Sequence, residues 1–169
     1  MPAVRRSTVR VIFVCLGNIC RSPLAEGLFR HHVAARGLEA SFVIDSAGTG
    51  AWHAGEPPDP RMRAIARSRG ISIDDQRARQ FTVADLAAFD AILVMDQENL
   101  AAVRRLDRDG QAADKVALLR DHDPVARGGV PDPYYGGDEG FEEVYRIVDR
   151  STRALLDQLI TRFGVAERP

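Results

Sequence analysis

The sequence predicts an α/β fold: a three-layer, doubly wound sheet of four parallel strands with helices on both faces. Short apolar runs alternate along the chain with longer segments whose apolar residues recur at helical spacing. The short runs are rich in β-branched residues and nearly continuous in apolar character, which is typical of strands buried on both faces. Glycine, proline and helix-capping residues separate the two kinds of segment, as turns require.

The four predicted strands are spread over the first two thirds of the chain. The clearest is Val-Arg-Val-Ile-Phe-Val at residues 9–14, and the others are predicted over residues 41–45, 91–95 and 116–119. Because a parallel sheet binds its ligands beyond the carboxyl ends of its strands, we expect a site in the loop after residue 14.

Helices are predicted between and after these strands. The first begins with Ser22 as its N-cap and Pro23 at the first helical position, and it stops at Gly37. A second is predicted from Asp59-Pro60 to near Gly70. The remaining predictions are a short helix starting at Thr82, a helix over 96–106, a loop over 121–140 and a final helix from Phe141 to Gly164.

The composition is that of a globular protein with no strong charge. The chain has 169 residues, of which 45% are hydrophobic and 28% charged. We expect a single domain over residues 1–169, with its core at about residues 9–160. The formal net charge of -1 provides no basic field, so nucleic acid is not an expected partner.

The sequence also predicts a cytoplasmic protein without a membrane segment or a metal. No apolar run approaches the roughly 20 residues of a membrane helix, and residues 11–14 are too short for a signal-peptide core of about 7–15 residues. Two cysteines are too few for a secreted disulfide framework. Zinc sites usually combine more cysteine or histidine ligands, so we expect neither a metal nor another cofactor.

The loop after the first strand has the features of an anion site. It joins a buried strand to a helix N-terminus, where backbone N–H groups and the helix dipole favour negative charge. Gly17 lacks a Cβ atom and Asn18 tolerates a positive φ, so the chain can curl into a ring of inward-facing amides. Arg21, six residues after Cys15, can close this ring and bind two phosphate oxygens.

The same surroundings make Cys15 a candidate nucleophile. Helix N-termini and cations favour a thiolate over a thiol, and a hydroxyl donor such as Ser22 stabilises it further. Cys15 would then lie beneath a bound tetrahedral oxyanion. An ordinary strand-to-helix turn with a buried cysteine is the alternative interpretation. The residues expected to form or support the phosphate loop are Leu16, Gly17, Asn18, Ile19, Cys20 and Ser22.

Several segments resemble the low-molecular-weight protein tyrosine phosphatases. Residues 13–26, Phe-Val-Cys-Leu-Gly-Asn-Ile-Cys-Arg-Ser-Pro-Leu-Ala-Glu, resemble the signature of this family, and residues 45–59 and 132–136 resemble further segments. The resemblance runs from about residue 9 to 160. Other tyrosine phosphatases share Cys-x5-Arg but place the acidic residue before the cysteine, whereas Asp132 follows it, as in this small family.

The resemblance implies a two-step hydrolysis of phosphotyrosine in proteins. Cys15 is expected to attack phosphorus and form a cysteinyl-phosphate, while Arg21 and the loop amides hold the phosphoryl oxygens. Asp132 is expected to protonate the leaving phenolate and then to activate water. The chemistry implied needs no metal or other cofactor. The expected partners are tyrosine-phosphorylated proteins and a cognate tyrosine kinase.

Further roles follow from the resemblance. Asn18 is expected to fix the loop through its side chain, and Ser46 to tether Asn18 from the next strand. Trp52 resembles an aromatic wall beside the substrate ring. Tyr134 and Tyr135 are expected to form the opposite wall, and in the family this pair can itself be phosphorylated.

Cys20 and Asp96 resemble two residues that support the site. In the family the second loop cysteine, here Cys20, can form a reversible disulfide with the nucleophile under oxidation. Asp96 resembles a residue that supports the loop, and a helix N-cap is an equally good interpretation.

One position departs from the family pattern. Many members have a histidine where this chain has Gln76, and that histidine pairs with the aspartate at the position of Asp45. We expect the change to lower rigidity or stability and to leave the chemistry intact.

Two other functions are alternatives to phosphatase activity. Thiol-dependent arsenate reduction on the same fold requires two further cysteines as a disulfide relay, and this chain has two cysteines in all. A phosphotyrosine-binding module without turnover would not need Cys15, Arg21 and Asp132 together. Phosphatase activity accounts for all three.

Overall fold

Four parallel strands form the central sheet of the computed structural model, which describes residues 8–134 and 136–167. They are β1 (Val9–Cys15), β2 (Phe42–Gly48), β3 (Ala91–Val94) and β4 (Val116–Leu118). Their order is β2-β1-β3-β4, and every neighbouring pair is parallel. Strand β2 pairs with one edge of β1 and β3 pairs with the other edge, so the direction of the chain along the sheet reverses at β1. The topological switch point therefore lies at the carboxyl end of β1.

Helices cover both faces of this sheet. They are α1 (Arg21–Ala35), α2 (Pro60–Ser68), α3 (Val83–Ala88), α4 (Gln97–Leu106) and α5 (Asp138–Phe163). Alternate residues of β1 point to opposite faces. Those on one face join the core formed with α1, α2 and α5, and those on the other join the core formed with α3 and α4. The predicted three-layer α/β fold is therefore confirmed.

Three predicted helix starts are confirmed by their capping bonds. The carboxylate of Asp59 accepts a hydrogen bond from the Arg61 amide at the start of α2. Thr82 and Asp85 form a reciprocal capping box at the start of α3. Asp96 caps α4 by accepting from the Asn99 amide at 2.8 Å.

The predicted N-cap of α1 is wrong. The helix begins at Arg21 after Cys20, and the hydroxyl of Ser22 contacts the Cys15 sulfur instead of capping the helix. The Ser-Pro pair is a strong local capping signal, but the loop before it curls around the sulfur and shifts the helix start toward the N-terminus.

Other boundaries also differ from the prediction. Strand β2 continues to Gly48, three residues past the predicted end, because Asp45–Gly48 continue to pair with β1. Helix α5 begins at Asp138 within the predicted loop, and acidic residues in its first turn suit the positive end of the helix dipole. A 3-10 helix over Leu119–His122 takes the last residue of the predicted fourth strand and the start of that same loop.

None of the helices within the described residues is long and apolar enough to cross a bilayer.

The core beneath the site includes a row of three aromatic rings. Phe29 of α1 lies between Phe13 of β1 and Phe42 of β2, with ring centroids 5.5 and 5.6 Å away in edge-to-face geometry. Its side chain is fully buried. This contact fixes α1, and with it the helix N-terminus that borders the site, against the sheet.

We predict that Phe29→Ala lowers the free energy of unfolding by about 3–5 kcal/mol, because it leaves a cavity between the helix and the sheet. Urea unfolding followed by circular dichroism measures this change. Phe29→Leu is the matched control, since it keeps most of the apolar volume and should cost less. Equal free energies of unfolding for the alanine variant and the wild type would contradict this packing.

Candidate active site

The loop that follows β1, residues 15–21, curls around the sulfur of Cys15, and we call it the Cys15 loop. Asn18 has a φ of 57° and is the one non-glycine residue with a positive φ in the described chain. This left-handed residue turns the backbone so that the Asn18 amide donates to Cys15 Sγ at 3.3 Å. An asparagine adopts this conformation at lower cost than most residues.

The outer side of the Cys15 loop is held by the end of β2 and the residues after it. The Thr49 amide donates to the Cys15 carbonyl and the Gly50 amide to the Leu16 carbonyl, each at 2.9 Å. Gly48 lies so close that a Cβ atom there would be 2.8 Å from the Leu16 carbonyl oxygen. The close approach of the two backbones thus requires glycine at position 48.

Cys15 Sγ lies at the N-terminus of α1 among hydrogen-bond donors. The Ser22 hydroxyl is 3.0 Å from the sulfur, and its oxygen accepts a bond from Asn18 Nδ2 at 2.8 Å, so its proton can point to the sulfur. The sulfur thus accepts an N–H, and can accept an O–H, at the helix end where N–H groups and the helix dipole favour negative charge.

Arg21 is buried beside this sulfur and remains charged. Its Nη1 donates to Asp96 Oδ2 at 2.7 Å and to the Val130 carbonyl at 3.0 Å, while Nη2 lies 3.5 Å from Asp132 Oδ2. Burial lowers the pKa of the guanidinium, but the charges of Cys15, Asp96 and Asp132 outweigh it, and the pKa is raised above its usual value. Asp96 thus both caps α4 and contacts Arg21.

The side chain of Asn18 ties the Cys15 loop to the elements behind it. Its Nδ2 donates to the hydroxyls of Ser22 and Ser46 at 2.8 and 3.0 Å, and its Oδ1 accepts from the Arg79 amide at 3.1 Å. The structure thus brings Asn18 and Ser46 together. All hydrogen-bonding atoms of this buried amide are satisfied, which holds the turn rigid.

Gln76 and Asp45 do not pair. Gln76 donates to the Pro23 carbonyl at 2.9 Å, whereas Asp45 accepts from Arg79 Nη2 at 2.8 Å. Arg79 also donates to Asp85 at 2.9 Å, so it provides the cation for both carboxylates. The sequence analysis missed Arg79, because its role depends on the approach of residues far apart in sequence.

A cavity of about 220 Å³ opens above Cys15. It brings together most of the predicted site residues: Cys15, Leu16, Gly17, Ile19, Cys20, Arg21, Trp52, Asp132 and Tyr134. The predicted supporting residues Asn18, Ser22 and Ser46 are not among the residues that line the cavity, and their side chains hold the Cys15 loop through hydrogen bonds. Tyr135, the remaining predicted site residue, lies outside the described residues.

Aromatic side chains surround the mouth of this cavity. Trp52 is 72% exposed, and its indole lies across the backbone of Gly50, where a Cβ atom would be 1.7 Å from Cζ3. His53 also lines the cavity, with its ring centroid 6.1 Å from that of Tyr134 and its Nδ1 2.7 Å from Glu56 Oε2. His53 was not among the predicted site residues.

Asp132 stands at the rim of the cavity. Its Oδ1 accepts from the Tyr134 amide at 3.1 Å, while Oδ2 faces Arg21. The side chain is 36% exposed and lines the cavity together with Cys15. A candidate nucleophile at the base and a candidate acid at the rim thus share one cation.

Cys20 lies in the same cavity as Cys15 but in a different electrostatic environment. Neither cysteine forms a disulfide. Burial raises the pKa of the Cys20 thiol, and the charges of Asp59 and Cys15 raise it further, so this residue is a neutral thiol at physiological pH.

Within the described residues, no group of three or more His, Cys, Asp or Glu side chains is placed to hold a metal ion.

We predict that Gly48→Ala weakens the binding of inorganic phosphate to the Cys15 loop by at least about tenfold. The new Cβ atom meets backbone atoms of residues 16–18, which can only yield by displacing the amides that face the anion. Isothermal titration calorimetry measures the affinity. Gly137→Ala is the matched control, because a Cβ atom there meets nothing within 4 Å. Unchanged affinity in Gly48→Ala would show that the loop does not depend on this contact.

Sequence comparisons identify relatives along nearly the whole chain. A family model described as low molecular weight phosphotyrosine protein phosphatase matches residues 10–163. A low molecular weight protein-tyrosine-phosphatase of Streptomyces coelicolor is 47% identical over 152 residues, covering 88% of this chain and 92% of the relative. The low molecular weight phosphotyrosine protein phosphatase of Sus scrofa is 44% identical over 156 residues, covering 90% and 96%.

Solved structures share the fold. The crystal structure of YfkJ from Bacillus subtilis superposes with a TM-score of 0.88 at 41% sequence identity, covering 94% of this chain and 98% of that one.

Proposed function

Because the chain belongs to the low molecular weight phosphotyrosine protein phosphatase family, we propose that it hydrolyses phosphotyrosine in proteins through a cysteinyl-phosphate. The observation that carries the proposal is the cavity in which Cys15, Arg21 and Asp132 meet. Each is the residue type that one part of the reaction needs: a nucleophile, a cation for the phosphoryl group and a proton donor.

The first step transfers the phosphoryl group to sulfur. The amides of the Cys15 loop and the Arg21 guanidinium bind the equatorial oxygens, where the negative charge of the transition state is spread. The Cys15 thiolate attacks phosphorus in line with the phenolic oxygen, so the S–P bond forms as the P–O bond breaks. Asp132 gives its proton to the departing oxygen, and tyrosine leaves as a neutral phenol.

The second step returns the enzyme to its starting state. Asp132, now a carboxylate, takes a proton from a water molecule whose oxygen attacks phosphorus. The S–P bond breaks, inorganic phosphate leaves, and the Ser22 hydroxyl stabilises the departing thiolate. The net reaction is the hydrolysis of one phosphate monoester, and no redox step is involved.

The shape of the cavity favours aryl phosphates. Cys15 is buried at the base, while Trp52 and Tyr134 stand at the mouth, so a phosphate must reach down between rings to meet the sulfur. The flat tyrosine ring fills that space better than a short serine side chain. We propose Tyr135 as a further part of this wall.

The proposed chemistry also suggests a setting. A free thiolate nucleophile requires reducing conditions, which favours the cytoplasm. A tyrosine kinase that phosphorylates the same proteins is the proposed functional counterpart. The arsenate reductase alternative lacks support, because a disulfide relay needs two cysteines besides the two in the Cys15 loop.

We predict that Cys15→Ser abolishes turnover of phenyl phosphate, because a serine hydroxyl is not ionised at neutral pH and is a poor nucleophile in this setting. Release of inorganic phosphate measures the loss. The variant should still bind inorganic phosphate, which confirms that the loop is folded. Retained turnover in the serine variant would refute the cysteinyl-phosphate.

We predict that Asp132→Asn lowers kcat/KM for phenyl phosphate by about 10²–10⁴-fold, the usual contribution of a general acid. Dinitrophenyl phosphate, whose leaving group needs no proton, should lose far less. Equal losses for phenyl phosphate and dinitrophenyl phosphate in the variant would remove Asp132 from the role of acid.

A further inference from the structure

Arg61, the second residue of α2, contacts the loop that carries Asp132. We call residues 132–134 and 136 the Asp132 loop. Nη2 of Arg61 donates to the Tyr134 carbonyl at 2.8 Å, and Nη1 donates to the Gly136 carbonyl at 3.2 Å. The guanidinium also lies over the ring of Phe141, 4.5 Å from its centroid. These contacts hold the Asp132 loop from the side of α2.

The same guanidinium is bound to the Cys15 loop through Asp59. Arg61 Nε and Nη2 donate to the two carboxylate oxygens of Asp59, each at 3.2 Å, and the Asp59 amide donates to the Ile19 carbonyl at 2.8 Å. Burial raises the pKa of the Asp59 carboxyl, but the bonds from Arg61 outweigh it, and the pKa lies below its usual value. Asp59 is therefore a charged anchor beside the Cys15 loop.

The Asp132 loop needs such support, because the carboxyl group is weakly held by its own contacts. Arg21 Nη2 lies 3.5 Å from Asp132 Oδ2, beyond a good hydrogen bond, and within the described residues the one hydrogen bond to the carboxyl group is from the Tyr134 amide to Oδ1. Arg61 binds the carbonyl oxygen of the same residue, Tyr134. Fixing residue 134 therefore fixes the turn that orients the carboxyl group.

We propose that Arg61 is a positioning residue for the general-acid step, bridging the Cys15 loop and the Asp132 loop so that the Asp132 carboxyl group reaches the leaving oxygen. The inference rests on the proposed function, in which Asp132 is the acid. Arg61 is not among the residues that line the cavity, so it acts through Asp132. The planar guanidinium of arginine can donate hydrogen bonds to these separate acceptors at once, whereas a lysine ammonium cannot do so with the same geometry.

This role predicts a loss of rate that depends on the leaving group. Displacing a catalytic group by about 1 Å can cost about 10²-fold in rate. Arg61→Met should therefore lower kcat/KM for phenyl phosphate by about 10- to 100-fold, since its phenolate needs a proton to leave. For dinitrophenyl phosphate, whose leaving group is stable without a proton, the loss should be within about threefold.

The experiment measures kcat/KM for both substrates in the wild type, Arg61→Met, Asp132→Asn and the double variant. Arg67→Met is the matched control: Arg67 lies on the same helix, and its exposed side chain pairs with Asp74 at 3.1 Å. It should behave as the wild type with both substrates. Arg61→Lys, which keeps the charge, should lose less than Arg61→Met and carries the test if the methionine variant does not fold.

The double variant separates positioning from general destabilisation. If Arg61 acts through Asp132, Arg61→Met should reduce kcat/KM for phenyl phosphate little once Asp132→Asn is present. Fully additive losses, or equal losses with both substrates, would overturn the inference while Asp132 keeps its role. If Asp132→Asn itself shows no dependence on the leaving group, the proposed acid fails, and the inference fails with it.

Discussion

The hydrogen bonds to the Cys15 sulfur are the constraint on which the rest of the site depends. The Asn18 amide and the Ser22 hydroxyl can reach the sulfur because Asn18 adopts a left-handed conformation. That conformation in turn depends on the bonds from the Asn18 side chain to Ser22 and Ser46. A satisfied amide thus fixes a turn, and the turn directs backbone N–H groups to the place where an anion can bind.

The fold determines where the site lies, and ion pairs orient its side chains. The switch point of the sheet leaves a crevice at the carboxyl end of β1, and the buried contact of Phe29 fixes α1 beside it. Arg21 is then held by Asp96 and Val130, from a different part of the chain. Because each partner belongs to another element, the geometry of the site depends on the whole domain being folded.

The sequence was sufficient for features that local chemistry determines. The buried strand, the Gly17-Asn18 turn and the spacing of Cys15 and Arg21 all predicted an anion loop. Local signals failed where distant contacts override them: Ser22 has a typical N-cap pattern, yet its hydroxyl contacts the sulfur. Arg79 and Arg61 could not be found this way, because one arginine among many has no distinctive pattern until the fold brings its carboxylate partners to it.

In the proposed reaction, a sulfur anion lies beneath a phosphoryl group held by one guanidinium and the loop amides. A crystal structure of the protein with vanadate, which adopts the geometry of the transition state, tests it most directly. We predict a bond between vanadium and Cys15 Sγ, with the equatorial oxygens on Arg21 and the amides of residues 16–21. Vanadate bound away from this sulfur, or coordinated without Arg21, would contradict it.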